Sequence, residues 1–228
     1  MSHDSNAKDV LIPSQPIPAG AEEFSQKVQR LLDGQPKDEA TVSKTLGGMD
    51  ALLDVIAAGL YSMASMLVGE GEDSIQLVET AVARTKLSAC SNADDARKSS
   101  RRALCSAAIE LISERKPGSL AAPEWLEHVA TCIEDDDLES AGISRDELES
   151  MLAGPNRESV KKWIESLATE SRVIFVLRAV AGFSAAETAE MLANHGGKGA
   201  EGWNSDAVRE IFRQGLCSLA SQLIHAVK

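Results

Sequence analysis

Aromatic side chains are scarce in this chain and make up 4% of its 228 residues. With so few large rings, leucine, alanine, isoleucine, valine and methionine have to fill the interior, a composition common in helical bundles. The apolar share of 43% suffices for folded helices. The composition therefore favours an all-α protein.

Basic residues are also few, since 23 lysines and arginines stand against 35 acidic residues and the formal net charge is −12. A protein whose main task is to hold phosphate backbones usually carries the opposite sign. Because local patches matter more than total charge, the acidity lowers the expectation of nucleic-acid binding without excluding it.

The sequence shows no pattern of a membrane span, no pattern of a secretory signal and no CxxC motif. No stretch approaches the roughly 18 consecutive apolar residues that a span needs, and the first twenty residues lack the pattern of a secretory signal. The four cysteines, at positions 90, 105, 132 and 217, include no CxxC pair. We expect them to be buried thiols rather than disulfides, and the protein to be cytoplasmic with no membrane partner.

Catalytic and cofactor motifs are missing as well, so we predict that the chain is not an enzyme and has no cofactor. His128 and Cys132 stand four residues apart, but no second pair lies nearby, which favours chance placement over a zinc site. The Gly-Gly-Lys-Gly cluster at 196–199 follows no predicted strand and lacks the phosphate-loop pattern. A flexible loop is the favoured interpretation of that cluster.

Helical periodicity runs through most of the chain and predicts two helical domains joined by an acidic linker. Residues 1–20 hold three of the seven prolines and are predicted to be a disordered tail. The first helical domain is predicted over 21–116 and the second over 157–228. Between them, residues 117–156 carry ten acidic side chains and one basic one, and we expect short helices within this linker.

The helix boundaries are predicted from caps and breakers. Gly69 and Gly71 should end a helix that begins near residue 49, and capping boxes at Ser144 and Ser184 should each begin one. The other helical segments are 72–87, 94–116, 157–168, 169–183 and 205–227. In the last segment, an apolar stripe is predicted to be buried, formed by Val208, Phe212, Leu216, Leu219 and Leu223.

Two segments resemble one protein family. Residues 60–84 resemble region 2 of bacterial RNA polymerase sigma factors of the extracytoplasmic-function type, and residues 163–193 resemble the start of region 4. The first likeness is carried by Glu72, Asp73, Leu77 and Val78. The second is carried by Leu167, Arg172, Phe175, Leu177, Arg178, Gly182, Ser184, Glu187, Ala189 and Glu190. The likeness covers about residues 46–116 and 157–224.

The resemblance implies a helix-turn-helix regulator of transcription initiation, with RNA polymerase core, promoter DNA and an anti-sigma factor as partners. In the family, region 2 grips the polymerase and opens the −10 element, while region 4 docks a helix at the −35 element. The polymerase or anti-sigma face would consist of Glu72, Asp73, Gln76 and Glu79. An ordinary solvated helix face is the open alternative for these residues.

The DNA-binding residues would lie on two helices. On the first, Arg97, Lys98, Arg101 and Arg102 form a basic stripe, and pairing of this stripe with Asp94 and Asp95 is the alternative. No aromatic stands between Tyr61 and Trp125 to stack opened bases. On the second helix, Asn204, Arg209 and Arg213 could read bases, but Asp206 and Glu210 nearly cancel their charge.

The connection between the supporting and reading helices is also unusual. It has ten residues, 194–203, where a helix-turn-helix has about three to four. Such a glycine-rich loop leaves the angle between the helices open unless a partner orders it or Trp203 pins it to the core. Two hypotheses follow: a sigma-like regulator that binds polymerase and promoter DNA, or a sigma mimic that binds an anti-sigma factor or polymerase with weak or no DNA binding.

Overall fold

The computed structural model describes residues 49–85, 93–123, 132–154 and 157–226. These residues fall within one compact unit, Pro36–Lys228, and contain eight α-helices and no β-strand, which confirms the all-α class. The helices are α1 Met49–Val68, α2 Glu72–Arg84, α3 Ala93–Arg115, α4 Arg145–Ala153, α5 Arg157–Ser166, α6 Thr169–Phe175, α7 Ala185–His195 and α8 Ser205–Ala226. The predicted tail, 1–20, lies outside the described residues, and the division into two domains with a linker stays a prediction.

Local sequence signals set the helix ends. Gly69 and Gly71 have φ values of 91° and 131°, so the chain leaves α1 through a left-handed turn that side chains other than glycine disfavour. Both predicted capping boxes are present. Glu187 N donates to Ser184 Oγ over 3.2 Å while Ser184 N donates back to Glu187 Oε2 over 2.9 Å, and Ser144 and Glu147 make the same exchange.

The core of the C-terminal helices is organised around Phe175, which is fully buried. Its ring packs edge-on against Trp163, with centroids 4.8 Å apart, and against Phe212 at 5.8 Å. Four residues of the predicted α8 stripe are buried, and Leu223 is half-buried. The stripe prediction is therefore confirmed except at its last position.

The segment 169–183 departs from the single regular helix that its periodicity predicts. The α-helix ends at Phe175 and a π-helical turn follows over Val176–Val180, closed by the Ala181 N–H donating to Val176 O over 2.8 Å. A π-turn inserts one extra residue into the helical register. Residues 173–177 are all apolar, so the sequence has no polar position there that would reveal the shift in register.

The glycine-rich loop lies against residues 113–122. Ser113 Oγ donates to Gly196 O over 2.9 Å, and Ala122 N donates to Gly199 O over 2.7 Å. The Trp203 ring is buried, and its Nε1 donates to Leu120 O over 2.8 Å. The flexible-loop prediction is therefore wrong, because tertiary hydrogen bonds hold the loop, and the hypothesis that Trp203 pins it is confirmed.

Acid is expected to destabilise this fold, because several carboxylates are held charged. The Ser184 backbone N–H, the Ser184 hydroxyl and Lys98 hold the pKa of Glu187 below its ordinary 4.5. Lys161 lowers the pKa of Glu70 in the same way. A group with a lowered folded-state pKa contributes stability that is complete above its unfolded pKa and is lost as the pH falls through the folded value. We therefore expect the urea midpoint to fall once the pH drops below 4.5.

The measurement is urea unfolding followed by circular dichroism at several pH values. Glu187→Gln should be less stable at pH 7 and should show a shallower loss in acid. Glu158→Gln is the control, because Glu158 is exposed and has no ion pair within the described part of the chain. A wild-type midpoint that stays constant from pH 6 to pH 3 would contradict the expectation.

Candidate functional site

The predicted partner face lies on α2 and is largely open to solvent. Glu72, Gln76 and Glu79 are exposed and lie on one side of the helix, at spacings of four and three residues. The opposite side buries Leu77 and Val78. The face therefore presents two carboxylates and an amide that are available for contact.

Asp73 differs from its three neighbours on this face. Arg115 of α3 donates to its carboxylate from both Nη1 and Nη2, and the distance from Nη2 to Oδ1 is 2.6 Å. The hydrogen bond from Arg115 holds the pKa of Asp73 below its usual range. Asp73 thus joins α2 to α3, and its predicted partner contact stays untested.

The basic stripe of α3 lies beside an acidic row on α7. Lys98 Nζ is 3.2 Å from Glu187 Oε1, and Arg102 Nη2 is 3.1 Å from Glu190 Oε2. These contacts join residues 89 and 88 positions apart, and they differ from the local pairing with Asp94 and Asp95 that the sequence suggests. A phosphate approaching Lys98 or Arg102 would meet the carboxylates of α7.

The other two residues of the α3 stripe differ from each other. Arg97 Nη1 lies 3.8 Å from Asp94 Oδ1, in agreement with the local pairing weighed as the alternative. Arg101 is half-buried and has no ion pair among the residues that the structure describes. Of the four predicted cations, Arg101 is therefore the one whose charge is not offset by a described neighbour.

The three predicted readers at the start of α8 are all engaged within the chain. Asn204 Oδ1 accepts hydrogen bonds from the N–H groups of Asp206 and Ala207, at 3.0 and 2.9 Å, and so caps α8. Arg209 Nη1 lies 2.9 Å from Asp206 Oδ1. Arg213 Nη2 contacts the carboxylate of buried Glu210.

An acidic segment before the 3₁₀ turn Glu139–Ala141 also contacts these arginines. Arg213 Nη1 donates to Glu134 O over 3.0 Å, and Arg209 Nε lies 3.8 Å from Asp136 Oδ2. The same carboxylate oxygen accepts from Arg178 Nη2 over 2.6 Å. These acids belong to the predicted linker, and no local signal in the sequence indicates the contact, because its members lie 42 to 79 residues apart.

A polar cleft of about 320 Å³ opens beside this contact. It is lined by acidic and basic side chains, among them Asp136, Glu139, Arg145, Arg178 and Glu187. Within the described ranges, no three histidine, cysteine, aspartate or glutamate side chains are placed to hold a metal ion. No helix in those ranges is long and apolar enough to cross a membrane.

The cysteines correct the thiol prediction in part. Cys132 and Cys217 form a disulfide across 85 residues, with Cα atoms 5.7 Å apart. This pairing is not visible in the spacing of the cysteines, because only the fold brings the two positions together. Cys105 is a buried thiol, as predicted, and burial raises its pKa to about 12. Cys90 and His128 lie outside the described residues.

Comparison with known proteins gives no relative: no protein-family model, no curated protein and no solved structure matches the chain.

Proposed function

We propose that this chain is a sigma-like, cytoplasmic regulator of transcription that acts by binding a protein rather than by gripping promoter DNA. The observation that carries the proposal is that most of the cations predicted to bind DNA pair with acids of the same chain. Lys98 and Arg102 pair with α7, and Arg209 and Arg213 pair with acids of α8. The resemblance to sigma regions 2 and 4 supports the choice of transcription as the process.

This pairing lowers the number of cations that are free to contact DNA phosphates. Each phosphate neutralised by a free cation adds about 0.9 to the salt slope of binding, and most non-specific affinity has this origin. Exposed ion pairs are individually weak, about 0–1 kcal/mol. The neighbouring carboxylates, however, stay in place and repel the phosphate. The paired cations of α3 and α8 are therefore poorly placed to hold a DNA backbone.

The protein-binding face would be the exposed side of α2. Carboxylates at Glu72 and Glu79 flank the amide of Gln76, and such a face suits a partner that presents arginine side chains. RNA polymerase core and an anti-sigma factor are the two partners that the resemblance names. Core polymerase is the probe for the first experiment because it can be purified without knowing an anti-sigma partner.

Charge reversal of this face is expected to weaken polymerase binding. Glu72→Lys with Glu79→Lys should lower the affinity for core polymerase by about 10- to 100-fold, since both charges would then repel the partner's basic side chains. The measurement is surface plasmon resonance with immobilised core enzyme.

The matched control carries the same charge change elsewhere. Glu149→Lys with Glu158→Lys alters two exposed glutamates that have no ion pair in the described part of the chain, and it should leave binding unchanged. Equal affinities for the two double variants would refute the α2 face. If the protein binds neither core polymerase nor any anti-sigma factor, the proposed function itself fails.

Direct promoter binding is the second candidate, and one observation favours it. Arg101 keeps an unpaired charge among the described residues, on the helix that corresponds to the opening element. In this case the protein with core polymerase would start transcription from a specific promoter. Arg101→Gln with Arg209→Gln would then weaken DNA affinity and flatten its salt slope. The absence of transcription from every genomic promoter would exclude this candidate.

A further inference from the structure

One face of α8 carries a regular row of three side chains. Arg209, Arg213 and Cys217 are spaced four residues apart, which places them one above another on the helix surface. The acidic segment 132–137 contacts this row in the opposite chain direction. Cys132 is bonded to Cys217, Glu134 O accepts from Arg213, and the Asp136 carboxylate faces Arg209.

The register of this contact is consistent along its length. Residue 132 of the segment lies beside residue 217 of α8, residue 134 beside 213, and residue 136 beside 209. Each step of two residues along the segment therefore matches a step of four residues along the helix. Four helical residues rise about 6 Å, and two residues of chain can span up to about 7 Å. The segment therefore follows the row without a break, and the contact is a single interface rather than three separate ones.

The segment presents oxygen atoms where a nucleic acid would present phosphates. A guanidinium binds carboxylate and phosphate oxygens with the same planar donor geometry. Asp136 is held by a second arginine as well, because Arg178 Nη2 donates to its backbone oxygen over 2.9 Å and to its carboxylate over 2.6 Å. Ile133 and Leu138 are buried at either end of the acidic residues.

We propose that residues 132–137 are a disulfide-fastened cover over the arginine row of α8, and that reducing the Cys132–Cys217 bond lets this row bind the phosphate backbone of a nucleic acid. The proposal goes beyond the function proposed above, because it concerns α8 and not the protein-binding face of α2. The Cys132–Cys217 disulfide keeps the segment at a high effective concentration beside the arginines. Without it, the one ion pair between the segment and the row among the described residues, Asp136 with Arg209, is weak enough for a polyanion to displace, while Asp136 stays with Arg178.

The redox step is an ordinary thiol–disulfide exchange with a dithiol reductant. A thiolate of the reductant attacks Sγ of Cys132, the more exposed cysteine, and Cys217 leaves as a thiolate that takes up a proton. The second thiol of the reductant attacks the mixed disulfide, and Cys132 leaves and is protonated in turn. The reductant becomes a disulfide, and two electrons and two protons pass to the protein.

The test compares the full-length chain before and after treatment with dithiothreitol. Mass spectrometry after alkylation counts the free thiols, and fluorescence anisotropy measures the affinity for a labelled DNA duplex of about 20 base pairs at low salt. We expect reduction to raise the affinity about tenfold and to steepen the salt slope by up to about 2, because each arginine keeps its own α8 acid, Asp206 or Glu210, beside it. Arg209→Gln with Arg213→Gln should abolish the increase.

Three substitutions, two of them controls, test the cover without changing the disulfide. Asp136→Asn should raise the affinity of the oxidised protein, because it removes the carboxylate that faces Arg209. Asp135→Asn is the control, because it removes the same charge from the neighbouring residue. The Asp135 side chain is exposed and has no ion pair among the described residues, so this change should leave the DNA affinity unaltered. Cys105→Ala should leave the response to reductant intact.

Two results would overturn the proposal. One is free alkylation of Cys132 and Cys217 in the untreated protein, and the other is equal DNA affinity before and after verified reduction. Polymerase binding by α2 is measured separately, in either redox state, with the Glu72 and Glu79 variants. A failure of the cover and a failure of the proposed function are thus distinguishable.

Discussion

Replacing Trp203 with alanine is expected to lower the free energy of unfolding by about 3–5 kcal/mol. The ring is 6% exposed, and its Nε1 donates to Leu120 O over 2.8 Å. Its removal would leave a cavity between the loop after α7 and residues 113–122, and would leave the Leu120 carbonyl without its donor. Urea unfolding followed by circular dichroism at pH 7 measures the loss.

Two further variants separate the contributions of Trp203. Trp203→Phe keeps most of the ring but removes the donor, so its loss should be about 1–3 kcal/mol, the cost of a buried carbonyl left unpaired. Lys198→Ala changes an exposed residue of the same loop and should stay within about 0.5 kcal/mol of wild type. If Trp203→Ala is no less stable than Lys198→Ala, the ring does not pin the loop.

The Trp203 result also bears on the helix-turn-helix likeness. A short turn sets the angle between the supporting and reading helices through its own geometry, whereas this loop depends on bonds to Ser113, Leu120 and Ala122. The angle between α7 and α8 is therefore coupled to the end of α3. A sequence alignment of α7 and α8 alone would not reveal that coupling.

Replacing Arg178 with methionine is expected to cost about 2–4 kcal/mol of stability, because it removes charged hydrogen bonds and a cation–π contact. The side chain is 15% exposed. Its nitrogens donate to the Asp136 carboxylate and backbone oxygen and, over 3.2 Å, to Phe183 O. Its guanidinium carbon lies 4.9 Å from the centre of the Phe212 ring. Methionine fills similar space but leaves these acceptors unpaired.

The comparison variants for Arg178 test charge and geometry separately. Arg178→Lys keeps the charge but cannot reach Asp136 and Phe183 at once, so its stability should lie between wild type and Arg178→Met. Arg145→Met removes an exposed arginine of the same cleft that has no ion pair among the described residues, and should cost less than about 0.5 kcal/mol. Equal losses for Arg178→Met and Arg145→Met would show that the buried contacts contribute nothing.

Local signals along the chain predict several elements of the fold. The apolar period of three to four residues predicts α1 and α8, since helical faces repeat at that spacing. The capping boxes at Ser144 and Ser184 lie within four residues of their partners, so their pairing is readable without the fold. The exposed α2 face follows from the same period, because its buried side is marked by Leu77 and Val78.

The charged groups and cysteines that meet cannot be read from local signals, because their partners are distant in the chain. Lys98 and Glu187, Arg213 and Glu134, and Cys132 and Cys217 are separated by about 80 to 90 residues. Many other acids could have paired with these cations, and composition alone does not select among them. Helix packing selects the pairs by placing α3 beside α7 and the acidic segment along α8. Local periodicity specifies which side of each helix is buried, whereas the pairing of the outward charges depends on how the helices are arranged in space.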